Sequence, residues 1–243
     1  MKDSPTSTDD KYYRSQTTRA KKMLLYLAIF SMVMFFAGLT SAYVVLMNGE
    51  YWVDIKIPTA FYYSTAIILI SSLTIKLAVN ASKKMNQAMV RGMLLLTFLL
   101  GIAFSVAQFQ GWSYLLSIGS HVSGNIESME GVYGEDYTVY FKGQKLVLEE
   151  DKFYFPDDHQ RSEVLNERVL GKSNTASSFI YTLSGLHLVH LLGGLLYLIY
   201  LVIKSYRMQF DATNNLSLRQ GATYWHFLDI LWVYLFLFLL FIH

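Results

Sequence analysis

The 243-residue chain contains no cysteine, which excludes disulfides, thiolate metal sites and a cysteine nucleophile. Charge is scarce as well. Asp, Glu, Lys and Arg make up 16% of residues, against about 25% in ordinary globular domains. No internal repeat or low-complexity stretch is present. No cleavable signal peptide is expected, because residues 1–22 (MKDSPTSTDDKYYRSQTTRAKK) are polar and the first apolar run is long enough to span. That polar tail is expected to be disordered up to the membrane surface. The Asn-x-Ser triplets at Asn80 and Asn215 fall on expected cytoplasmic loops and read as chance matches.

What the chain has instead is hydrocarbon-compatible length: 53% of its residues are hydrophobic. Crossing a bilayer core of ~30 Å takes roughly 20 consecutive apolar residues. Five stretches qualify, at about 23–47, 59–79, 92–117, 177–203 and 223–243. Beside them no soluble domain of normal size fits. The reading is an all-α, polytopic membrane protein: a five-transmembrane-helix bundle, with a polar tail at 1–22, three spans in 23–117, an insert at 118–176 and two spans in 177–243.

Orientation follows from where the cations lie. The tail carries Lys2, Lys11, Arg14, Arg19, Lys21 and Lys22; later loops carry Lys83, Lys84, Arg91, Lys204, Arg207 and Arg219. The 48–58 loop has only Lys56. Lys/Arg bias in short loops marks the cytoplasmic side, so the N-terminus is expected inside and the C-terminus outside. Lys76 sits where a long stem snorkels to the inner interface. The insert then falls on the outer side, with eleven acidic and six basic residues. Within it, YTVYFKGQKLVLEEDKFYF suggests a hairpin around Lys142-Gly143-Gln144, and DDHQRSEVLNERVLGK a short helix ending at Gly171.

Ionisable residues inside spans are costly and need partners. His187 and His190 lie near mid-depth in SSFIYTLSGLHLVHLLGGLLYLIYLVI and share a helix face. Bis-histidine haem ligation needs imidazoles from opposite sides of the ring, which one face of one helix does not supply. The expectation is a neutral pair hydrogen-bonded to neighbouring helices, with Ser184, Gly185, Gly193 and Gly194 allowing close approach. In the last span, His226 and Asp229 are also three apart, beside Tyr224, Trp225 and Trp232. They read as a polar clasp docking this helix on another helix or subunit, rather than as a proton-donating dyad. No catalytic, metal or cofactor-binding residue is expected, and no nucleic-acid partner.

The string YWHFLDILWVYLF closely resembles the closing signature of subunit III of haem-copper cytochrome oxidases, and GLHLVHLLGG resembles that family's preceding helix. GIAFSVAQF, ending near Gln108, is similar to its Gly-x-x-Phe-x-x-x-Gln helix, and VMFFAGLTSAYVVL to its carboxylate-bearing helix. Two positions depart from the family, which usually has glutamate where this chain has Met32 and Gly111. The five spans suit the shorter bacterial form.

The resemblance implies a non-catalytic subunit of a terminal oxidase in the bacterial inner membrane. It would pack against subunit I and also subunit II, bind phospholipid and support assembly and proton uptake. Haem and copper would reside in those partners. His187, His190, Gln108, Tyr224, Trp225, His226, Asp229 and Trp232 become interhelical, subunit or lipid interface candidates. The acidic insert becomes a surface for a cytochrome c or another respiratory complex. Two alternatives stay open: an accessory protein of a nitric oxide reductase, and a proton-coupled transporter using His187, His190 and Asp229.

Overall fold

The computed structural model describes residues 7–207, 210 and 215–242, with side chains from Gln16 onward. Five long helices dominate: α1 (Ser7–Met47), α2 (Thr59–Lys83), α3 (Gln87–Ser117), α5 (Thr175–Arg207) and α6 (Leu216–Phe241). All five are long and apolar enough to cross a membrane. Each contains one of the apolar stretches seen in the sequence, apart from the last two residues of the final stretch. His243 lies outside the described residues.

Local chemistry sets the helix ends. Pro58 stands at the N-cap of α2, where a missing N–H costs nothing. Between α2 and α3 the chain turns in three residues. Met85 takes a left-handed φ of 57°, and the Asn86 side chain accepts the Met89 N–H at 3.1 Å to start α3. Lys204 and Arg207 fill the last turn of α5, where cations offset exposed carbonyls.

The tail departs from expectation. Rather than remaining disordered to residue 22, the chain is helical from Ser7. No glycine or proline interrupts residues 7–37, so the nucleated span propagates outward through the polar segment. Residues 1–6 lie outside the described part.

Strands are confined to a module at one end of the bundle. Strand β1 (Tyr51–Ile55) comes from the α1–α2 connection and pairs antiparallel with β2 (Tyr137–Phe141) of the insert, Val53 opposite Val139. Lys142 and Gly143, with φ of 50° and 78°, make the tight turn to β3 (Gln144–Lys145), where the sequence suggested a hairpin. Strands β4 (Val147–Glu149) and β5 (Lys152–Tyr154) form a second hairpin. The helix expected over 157–171 shrinks to α4, Asn166–Val169. Asp158 explains the loss: its carboxylate accepts the Glu163 N–H at 3.0 Å and the Ser162 hydroxyl, holding a turn that competes with a helix.

One apolar core runs through bundle and module. Tyr43 near the end of α1 is fully buried, its ring 4.9 Å from Trp52 of β1, 5.5 Å from Phe179 of α5 and 5.2 Å from Phe238 of α6. The module therefore rests on the helix ends.

Candidate interhelical polar site

Helix α2 carries hydroxyls in two adjacent pairs seven residues apart, Ser64-Thr65 and Ser71-Ser72, and α6 carries Trp225 and Trp232, also seven apart. Seven residues are close to two helical turns, so each set lies along one stripe. The helices pack in opposite directions and the stripes meet. Trp225 Nε1 donates to Ser71 Oγ at 2.9 Å, and Trp232 Nε1 to Thr65 Oγ1 at 3.0 Å. Both indoles are buried, so each N–H must find an acceptor within the protein. The spacing match was visible in the sequence; the α2 hydroxyls were not singled out there.

At one end of this seam, His226 Nδ1 is hydrogen-bonded to Ser72 Oγ at 2.7 Å. The clasp expected between His226 and Asp229 is different in form. Their closest approach, Nδ1 to Oδ2, is 3.9 Å, too long for a hydrogen bond. The tie therefore runs from His226 to α2, because residues three apart on one helix sit side by side rather than end to end. The Asp229 side chain is enclosed at 3% exposure while that of His226 is 34% exposed. Neither Asp229 oxygen has a hydrogen bond of normal geometry. The Ser72 hydroxyl lies beside the carboxyl as well as the imidazole.

The two α5 histidines also part company. His187 turns into the core, its ring 5.8 Å from Phe104 and 5.2 Å from Trp232. It is fully enclosed, and neither ring nitrogen has a hydrogen bond. His190 turns toward α1, its ring 5.9 Å from Phe36, and its Nδ1–H donates to Leu186 O of its own helix at 2.7 Å. The expected pair bonded to neighbouring helices is therefore not what forms. Residues three apart on a helix diverge by about 60°, enough at this crowded position to aim them at different neighbours. Helix α6 instead reaches the α5 backbone, Tyr224 OH donating to His190 O at 3.1 Å.

Small residues permit these approaches. A Cβ on Gly101 would come within 2.8 Å of Leu195 and Trp225 side-chain atoms, and one on Gly194 within 3.1 Å of Leu228. On α3, Trp112 Nε1 donates to Ser184 Oγ of α5 at 3.0 Å, and the buried Gln108 Nε2 to Ser64 Oγ of α2 at 2.9 Å.

The family's missing carboxylate at Gly111 has a steric counterpart. A Cβ there would lie 2.3 Å from the ring of Phe61, which is itself fully buried and edge-on to Trp232. An aromatic ring occupies the space a glutamate would need. Met32, at the other departure, is buried on α1.

These residues make a set of interhelical ties. Among the described residues, no three histidine, aspartate or glutamate side chains gather as a metal site. The tie-forming histidine bonds a serine through the same nitrogen that faces the aspartate, which is not the relay order of a catalytic triad.

Comparison with known proteins finds relatives of this chain. Residues 158–243, comprising α5, α6 and the segment before them, match the family model described as cytochrome c oxidase subunit III. Subunit 3 of the cytochrome bo(3) ubiquinol oxidase of Pseudomonas aeruginosa is 25% identical over 83% of this chain and 75% of its own length. The probable cytochrome c oxidase subunit 3 of Nocardia farcinica is 24% identical over 85% and 80%. Subunit 3 of the cytochrome bo(3) ubiquinol oxidase of Buchnera aphidicola is 22% identical over 92% and 95%. The signature residues of α6 and the histidines of α5 lie inside the matched segment, and the family match together with these relatives supports a haem-copper oxidase subunit III.

Proposed function

We propose that this chain supports a proton-translocating terminal oxidase of aerobic respiration through assembly, lipid binding and proton uptake, while oxygen is reduced in its partners. One observation carries the reading: three polar side chains of α6 are spent on tying it to α2. Trp225, Trp232 and His226 each end on an α2 hydroxyl. Apolar side chains are left facing outward, Ile230, Leu237 and Phe241 on α6 and Leu27, Phe30 and Met34 on α1. Those surfaces suit lipid and the spans of neighbouring subunits, with subunit I as the main contact and subunit II beside it. A haem-copper oxidase subunit III holds no redox cofactor of its own.

Phospholipid has a natural seat between α1, α5 and α6, in a cavity of about 720 Å³ lined by Lys21, Leu24, Leu25, Tyr197, Tyr200 and Tyr224. Lys204 reaches its rim by donating to Ser217 Oγ at 2.9 Å, so cations stand over an apolar floor, as an anionic headgroup and its chains require. The acidic insert suits a basic partner such as a cytochrome c or another respiratory complex. The proposed setting is the bacterial inner membrane, with the N-terminus cytoplasmic and the module outside. Ser123 is exposed and the chain is cysteine-free, so Ser123→Cys offers a clean probe. Labelling by an impermeant thiol reagent from outside is expected; labelling that requires access to the cytoplasmic side reverses the topology.

The test of function compares the purified oxidase with and without this chain. Initial oxygen consumption should be the same in both, and the depleted enzyme should lose activity progressively during turnover. An enzyme silent from its first turnover without the chain would overturn the reading.

A further inference from the structure

Among the polar residues fully enclosed outside the α2–α6 seam, Gln108 and His187, both at 0% exposure, are set apart by side-chain atoms without a hydrogen bond. Three of their hydrogen-bonding positions are unfilled: Gln108 Oε1 and the two ring nitrogens of His187. Antiparallel packing of α3 on α5 puts them in one layer. Trp112 bonds Ser184 on one side, and Gly101 abuts Leu195 on the other. Each pair's residue numbers add to the same total, and that register sets Gln108 level with His187 and Leu188. Phe104, one turn from Gln108 on α3, touches the His187 ring at 5.8 Å and so forms a shared wall.

Nothing from outside reaches this layer. Lipid, bulk solvent and a partner's side chain are all excluded by complete burial of both residues. Direct bonding is opposed by the anchors each side already has. Gln108 is held through Nε2 to Ser64 Oγ at 2.9 Å. The His187 ring lies against Trp232, whose indole is fixed on Thr65 at 3.0 Å. A neutral imidazole brings one donor and one acceptor, and the carboxamide oxygen brings an acceptor. Buried groups of this kind are regularly satisfied by an internal water with two or more polar partners.

We propose that one internal water molecule is bound between the Gln108 carboxamide oxygen and the His187 imidazole. It donates to Oε1 and bonds a ring nitrogen, completing a tie from α2 through Ser64 and Gln108 to α5. His187 thereby acquires a role in setting the α3–α5 register rather than in ligating a metal. This inference is independent of the oxidase reading.

A high-resolution cryo-electron-microscopy map of the full chain in its purified complex tests it. The expected result is an isolated peak within hydrogen-bonding distance of both Gln108 Oε1 and a His187 ring nitrogen, absent in Gln108→Leu and in His187→Phe. A wild-type map without that peak overturns the proposal, as does a direct Gln108–His187 bond or a peak that persists in both variants. Should either variant fail to assemble, the wild-type map decides alone.

Discussion

In the helical bundle, backbone hydrogen bonding is local to each span, so tertiary structure is left to side chains: indoles on hydroxyls, imidazole on serine, glycines against rings. In the sheet module the balance is reversed. Its backbone pairs across long sequence distances, Tyr51 with Phe141 and Ile55 with Tyr137, and its turns carry most of the left-handed residues: Gly119, Gly134, Lys142, Gly143, Glu150, Asp151 and Arg161. Charge divides the same way. Ion pairs Arg161–Glu149 and Arg168–Glu163 belong to the module, whereas α6 holds a single enclosed carboxyl, Asp229. A water-facing region can satisfy its polar groups by turns and solvent; a lipid-facing one has to close its backbone polar groups on itself.

That contrast predicts unequal tolerance to the same kind of substitution. The largest effect is expected at Gly119→Ala in the module. Its φ is +77°, and an added Cβ would lie 2.0 Å from Ser128 O, a backbone atom that cannot swing away. A cost of about 3 kcal/mol is expected, read as rapid proteolysis of the insert while the spans remain intact. In the bundle, Gly101→Ala meets only side-chain atoms, of Leu195 and Trp225 at 2.8 Å. About 1–2 kcal/mol is expected there, seen as a lowered thermal midpoint of the whole chain in detergent.

Smaller again is loss of one tie. Ser71→Ala strands the Trp225 N–H at 1% exposure, for about 1 kcal/mol. An equal loss from Ser113→Ala, whose exposed hydroxyl bonds only Phe109 O of its own helix, would show that the interhelical geometry carries no weight.

The smallest effect is electrostatic. The Val132 N–H, and next the Tyr114 hydroxyl, hold the Asp136 carboxyl below the usual carboxylate range. A depressed folded value means the contribution is present above the unfolded carboxylate pKa of about 4 and fades as pH falls through the lower folded value. Protease resistance of the insert should weaken slightly across that acidic window, and Asp136→Asn should flatten the response.

How much was legible in the sequence follows the same divide. The spans were, because some twenty apolar residues in a row have few other uses in a chain. The Lys142-Gly143 turn was legible from its glycine. Strand β1 was not: YWVDI sits in a short connection, and its partner begins over eighty residues later, so no local pattern marks the pairing. The polar helix before residue 23 was missed because composition argued for disorder while the absence of helix breakers argued otherwise. At the site, Trp225, Trp232, His226 and Asp229 were singled out, yet their α2 partners looked like ordinary small polar residues. Only the matching interval of seven betrays Ser64-Thr65 and Ser71-Ser72. Where His187 and His190 point was not readable, since a 60° divergence matters only once the neighbours are known.

The central claim is that the signature residues of α6 hold helices together and do no chemistry. The most direct test removes both ionisable groups at once, so that neither is left stranded, in His226→Leu/Asp229→Leu. Subunit stoichiometry and initial oxygen-reduction rate are then measured on the same purified complex. The account predicts reduced retention of this chain with an unchanged initial rate per catalytic core. Full retention with no activity from the first turnover would contradict it.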